Sequence, residues 1–217
     1  MKKITLIAIS LLFLFSSAWA QGDETDARTL PTFGIKVGLN NSNVYDTKGE
    51  NFVASSRFGF AGGVFIGIPL GKYIGVQPEV LFSQKGFKST GSLLGSDYKL
   101  ERVTNNIDIP LLLQFKPIEY LTILLGPQYI YLIKQTDTYT YGTNSVDQAQ
   151  QFEVDKNNYR KNILSFCVGG DVHYQHVVFG IRANYDFQTN NSDGSTATPR
   201  YKNAWYQFSI GYRLYSN

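Results

Sequence analysis

Between Phe33 and Leu214 apolar and polar residues change places one by one in eight separate stretches, and this period of two confines the chain to strands with unlike faces. In the first stretch, Phe33, Ile35, Val37 and Leu39 alternate with Gly34, Lys36, Gly38 and Asn40. In the second, Phe58, Phe60, Val64, Ile66 and Ile68 oppose Gly59, Ala61, Gly63 and Gly67. The pattern recurs over residues 74–83, 107–115, 121–131, 164–174, 177–187 and 206–214, with Leu124 and Ile130 intruding on the polar face of the fifth stretch. Pro78 and Pro110 interrupt two of them, and local bulges are expected there because proline removes a ladder hydrogen bond.

The connections alternate as well. Short ones fall near residues 70–72, 117–120 and 175–176, and long polar ones cover 41–56, 88–97, 136–160 and 188–202. An even strand number, short turns on one side and long loops on the other describe an eight-stranded antiparallel up-and-down barrel that spans an outer membrane. A soluble lipocalin-type barrel also alternates, but it turns its apolar face inward. Here the polar face carries Gly, Ser, Gln and single charges, which suits a narrow lumen. The apolar face ends in aromatics (Phe58, Phe115, Tyr131, Tyr174, Phe187, Tyr212), as the girdles of membrane barrels do.

Residues 1–20 read as a signal peptide. Lys2 and Lys3 precede an apolar run to Phe15, and Ala18-Trp19-Ala20 supplies small residues where a signal peptidase reads. Residues 21–32 are expected as a flexible N-terminus and 33–217 as the barrel domain. Without Lys2 and Lys3 the chain has 18 basic residues against 17 acidic ones, too even a balance for a nucleic-acid binder. Cys167 is the one cysteine, so neither an internal disulfide nor a cysteine metal cluster is expected.

Particular words along the chain resemble the PorT-like outer-membrane β-barrel family of Gram-negative envelopes. They are Gly34-Ile-Lys-Val-Gly-Leu-Asn-Asn-Ser42, Ile68-Pro-Leu70 and Val76-Gln-Pro-Glu-Val-Leu-Phe-Ser-Gln-Lys-Gly86. Ile107-Asp-Ile-Pro-Leu-Leu-Leu113, Leu125-Gly-Pro-Gln128, Gly180-Ile-Arg-Ala-Asn-Tyr185 and Gly211-Tyr-Arg-Leu214 continue the series. The resemblance implies the barrel and an outer-membrane location. Because the best-known member is an accessory of protein secretion and surface maturation, it also implies secretion-system or other envelope proteins as partners.

Eight ionised residues fall on the lumen face: Lys36, Lys85, Arg182 and Arg213 against Glu79, Asp108, Asp171 and Asp186. Four of each sign in a barrel just wide enough to be filled by side chains predict a paired plug. A small porin-like channel is the alternative. His173 shares a face with Asp171 and Ser165, which raises a second alternative, an enzyme on membrane lipid. Neighbours on one strand face stand about 6.5–7 Å apart, however, beyond hydrogen-bond reach, so no catalytic residue is assigned. No metal or cofactor is expected. The remaining candidates are Tyr139, Tyr141, Phe152 and Tyr159 in the loop 136–160, a recognition surface for envelope proteins or surface glycans. The outward face is expected to meet outer-membrane lipid.

Overall fold

The computed structural model describes residues 26–45, 53–93, 96–141, 144–150, 160–190 and 200–214. The leader 1–20 lies outside them. Nine strands follow a 3-10 turn at Ala27–Thr29: β1 Thr32–Tyr45, β2 Val53–Pro69, β3 Ile74–Leu93, β4 Ser96–Ile118, β5 Leu121–Tyr141, β6 Asn144–Gln150, β7 Asn162–Tyr174, β8 Val177–Asp186 and β9 Lys202–Leu214. Each pairs antiparallel with its neighbour, and the β1–β9 and β4–β5 ladders close the sheet on itself. Eight strands make the wall. β6 stands outside it, paired with β5 through residues 135–141, while β5 pairs with β7 through residues 121–131.

Alternation sets the two faces. Phe33, Ile35, Val37 and Leu39 are exposed on the outside of β1, while Lys36 and Asn40 between them are buried. The same holds around the wall, so the outer surface is an apolar band and the lumen is polar. The six girdle aromatics are all exposed on the outside. Tyr73, Tyr120, Tyr174 and Tyr212 gather at the end with the short turns, and Phe58, Tyr131, Tyr185 and Phe187 at the other.

Two expectations about the backbone change. Pro78 stands opposite Leu111 and Pro110 opposite Gln128 in registers that run unshifted past both prolines. The register shifts lie elsewhere, between Ser56 and Ala61 in β2 and, in β4, between Asn105 and Asn106 and between Phe115 and Ile118. A proline whose neighbours still pair costs the ladder one bond without requiring an extra residue. Within the loops expected at 88–97 and 136–160, the described residues 88–93, 96–97, 136–141 and 144–150 are strand. β3, β4 and β5 contain 20, 23 and 21 residues, about twice the ~9–11 that a tilted strand needs to cross a membrane. Their upper halves, with β6, form a four-stranded sheet that rises beyond the apolar band.

The start of β3's upper half is marked by Gly86, whose φ of 146° favours glycine. Its N–H donates to Ser42 Oγ at 2.9 Å, and its carbonyl accepts from the same hydroxyl at 2.8 Å. Thus β1 reaches across β2 to hold the bend in β3.

Of the segment expected to be flexible, residues 26–31 are seated under the short-turn end. Arg28 donates to the Asp26 carboxylate from its backbone N, Nε and Nη2, and Lys72 Nζ approaches Asp26 at 3.1 Å. Arg28 Nη1 reaches the Pro117 carbonyl, and Lys116 Nζ donates to the carbonyl of Arg28. The Arg28 side chain beside it holds the Asp26 carboxyl far below the usual carboxylate range. The turn therefore ties the β2–β3 and β4–β5 connections together with its charges intact at neutral pH.

Candidate functional site

The lumen residues fall into stacked groups. Lys36 from β1 and Arg182 from β8 converge on Glu79 from β3: Lys36 Nζ lies 2.8 Å from Oε1, and Arg182 Nη1 and Nη2 lie 2.8 and 2.9 Å from the two carboxylate oxygens. Gln77 Nε2 donates to Glu79 Oε1 at 2.6 Å, and Asp171 Oδ2 stands 3.6 Å from Arg182. One group above, Lys85 pairs with Asp108 at 2.8 Å and lies 3.8 Å from the centroid of the Trp205 ring. All of these groups are buried, and a charge there is tolerated only with such partners.

Six of the eight expected lumen charges are thus brought together. The other two act differently. Asp186 accepts from the backbone N and side-chain Nδ2 of Asn203, and among the described residues no cation is in salt-bridge contact with it. Arg213 sits at the short-turn end and donates to the Gln175 carbonyl at 2.7 Å. Arg213 is set apart by its height along the strand, whereas Asp186 borders the same cavity as Lys85 without a salt bridge between them, and alternation alone gives neither height nor pairing.

A further pair is absent from the sequence reading. Arg102 in β4 grips Asp137 in β5 with two bonds of 2.7 and 2.6 Å and donates to Tyr201 Oη at 3.0 Å. Both partners are buried, and Phe87 packs edge-on against Tyr201 at 5.1 Å. This is the core of the part that rises past the apolar band. A charge alternating with threonine (Thr136, Asp137, Thr138) was the available signal, and a search for apolar alternation passes over it.

Apolar side chains complete the filling. The intruders Leu124 and Ile130 point inward, the first against Leu112 and Cys167, the second against Ile163 and Trp205. Two lumen cavities, one bordered by Lys85, Asp186 and Tyr201 and the other by Lys116, His173 and Arg213, are each about 20 Å³. That is room for a water molecule or two.

His173, Asp171 and Ser165 do not form a catalytic set. His173 Nε2 bonds Thr122 Oγ1 at 2.8 Å, Asp171 faces Arg182, and Ser165 donates to the Gln128 carbonyl. Among the described residues no three His, Cys, Asp or Glu side chains gather as a metal site. Tyr139 lies in β5 opposite Leu100 and Val146, and Tyr141 ends β5 opposite Tyr98 and Asn144. They belong to strands rather than to a loop. Phe152 and Tyr159 lie outside the described residues.

Comparison with known proteins agrees with this geometry. A family model described as outer membrane protein beta-barrel domain matches residues 19–193. Solved structures similar to the chain include Ail, the attachment invasion locus protein of Yersinia pestis, at 14% identity, covering 85% of this chain and 99% of that one with a TM-score of 0.46. OprG of Pseudomonas aeruginosa is similar at 16% identity, covering 87% and 98%, with a TM-score of 0.42. Neisserial surface protein A is similar at 12% identity, covering 84% and 97%, with a TM-score of 0.41. No curated protein sequence matches. With the matched segment spanning most of the wall, the chain belongs to the outer-membrane β-barrel domain family and resides in the outer membrane as a closed eight-stranded barrel.

Proposed function

We propose that this barrel is a binding and scaffold component of the envelope, and that it works through the sheet formed by the upper halves of β3, β4 and β5 with β6. The observation that carries the reading is the contrast between its two ends. The lumen is filled by paired charges, whereas three strands continue far past the lipid band, stiffened by Arg102, Asp137 and Tyr201. A rigid wall presenting an extended polar surface suits recognition, and the short-turn end, where β1 begins and β9 ends, faces the periplasm. The partners are envelope proteins or surface glycans. Resemblance to the PorT-like group makes a protein-secretion system the first place to look. No catalytic residue is assigned.

Crosslinking in cells, combined with an assay of secreted-protein maturation, tests this. Removing residues 138–149, so that β5 and β6 are joined low, is expected to abolish crosslinks and the maturation phenotype while the barrel still assembles. Unchanged crosslinks and maturation would sink the reading.

The porin-like alternative is separated by planar-bilayer recording. With the Lys36–Glu79–Arg182 cluster across the lumen and cavities no larger than a water or two beside it, the pure chain is expected to show no stable conductance. Solute-selective steady openings from the monomer would return the channel to first place.

A further inference from the structure

Most of the lumen charges are paired, and among the described outward side chains of β2–β5 a second set of charges is mostly of one sign. Lys88 on β3, Lys99 on β4 and Lys134 on β5 are exposed on the outward face; Lys88 stands between buried Phe87 and Ser89, Lys134 precedes buried Gln135, and Lys99 shares its face of β4 with Glu101. Arg57 on β2 joins them through an ion pair with Glu101 at 2.8 Å, and Glu101 itself stands directly opposite Lys88. Lys99 is opposite Thr90, one outward position further up, and Lys134 is opposite Asn105, four residues below Glu101 on β4. Arg57 and Asn105 are bridged by Gln84, which accepts from Arg57 at 3.3 Å and donates to Asn105 at 3.1 Å. Four cations thus face one carboxylate across four neighbouring strands, among the outward side chains described there. At ~4.8 Å between strands and ~3.3 Å per residue the patch measures roughly 15 Å across the strands by 20 Å along them.

Its height decides what it meets. Arg57 precedes exposed Phe58 on β2, and Lys134 follows exposed Ile133 on β5. Phe60 and Phe82 stack at 5.3 Å just below, and Tyr131 continues the same band. The cations therefore begin within one residue of the apolar surface, at the level where lipid headgroups lie. Their aliphatic stems can rest on the aromatics while the charged ends reach the phosphates.

We propose that this face of β2–β5 is a binding site for the phosphorylated headgroup of a glycolipid of the lipid A class in the outer leaflet. The site goes beyond the recognition role of the upper sheet and uses different residues. Carboxamides of Gln84 and Asn105 lie among the cations and supply hydrogen bonds for sugar hydroxyls. On the next strands round the wall, β1 and β9, the outward positions at comparable height are Asn41, Asn43, Ala204 and Tyr206, with Lys202 beside Tyr45 above them.

The test titrates the refolded chain in detergent with diphosphoryl lipid A and with the same lipid after removal of its phosphates, reading bound lipid by native mass spectrometry. The variants are Lys88→Gln/Lys99→Gln/Lys134→Gln and the charge-retaining Lys88→Arg/Lys99→Arg/Lys134→Arg. All three lysines are exposed, so heat-modifiable gel mobility is expected to stay at the wild-type value in both. The glutamine variant is expected to lose affinity for the diphosphoryl lipid on the order of a hundredfold, and the arginine variant to keep it. Removal of the phosphates is expected to weaken wild-type binding comparably. Equal binding by wild type and glutamine variant, or indifference to the phosphates, overturns the proposal. So does a soluble sulfated polysaccharide that binds lipid-free protein as tightly through the same lysines, because the patch would then serve a ligand from solution.

Discussion

Glu79→Ala is expected to cost the barrel about 3–5 kcal/mol, the loss found when one member of a buried ion network is removed and its partners keep their charge. Lys36 and Arg182 both spend their ion pairs on this carboxylate, and neither side chain is more than 6% exposed. Asp171, at 3.6 Å, remains near Arg182 alone. Urea titration in detergent micelles, followed by the gel shift between folded and unfolded forms, measures the change. Glu79→Gln keeps a hydrogen-bonding side chain without the charge and is expected to fall between wild type and alanine. A loss below about 1 kcal/mol for the alanine variant would mean that water reaches the cluster and screens it, and the description of the lumen as a dry plug would fail.

Gly86→Ala is the second large effect, and it acts on the backbone. A β-carbon at this position would collide with the carbonyl oxygen of Arg102, and the φ of 146° is one that alanine rarely adopts. Both peptide groups of Gly86 are bonded to Ser42, so the chain cannot move aside without releasing β1 from β3. The cost is expected at about 2–4 kcal/mol, combining backbone strain with the clash. It should be local at first: limited proteolysis between β3 and β4 is expected to speed up at urea concentrations where the gel shift still reports a closed barrel. Simultaneous loss of both signals would show that the upper sheet and the wall unfold as one unit.

How much of this could be read from the residues depends on which side of a strand faces lipid. Where the outer face must be apolar, as at Val37, Leu39, Phe208 and Ile210, alternation is visible and the eight wall segments follow. Past the aromatic band both faces are polar, so Thr136, Asp137 and Thr138 carry no apolar period and their strand reads as a loop. The reverse difficulty occurs inside. Phe65, Leu112, Leu124 and Trp205 are apolar but inward, where they fill space beside the charges. Pairing among the charges is a property of the closed barrel. Glu79 meets Arg182 from the far side of the lumen, across 103 residues of chain, while Asp186 on the same strand as Arg182 has no such partner. Strand order and stagger set these heights, and neither is written in a single segment.

The position of Glu79 between β1 and β8 also bears on the order of assembly. When strands are added one hairpin at a time, β3 and β8 belong to opposite halves of a growing open sheet, and they come face to face only when β1 zips onto β9. Until that seam forms, Lys36, Glu79 and Arg182 have no closed interior to share. An open intermediate lowered into the membrane would present them to hydrocarbon at about 2–4 kcal/mol for each cation near the midplane. Non-local closure of this kind is also slow, because the entropy of joining the distant edges is lost before any contact is gained. Insertion and seam formation are therefore expected to be coupled for this chain, with the β1–β9 edge the last to pair.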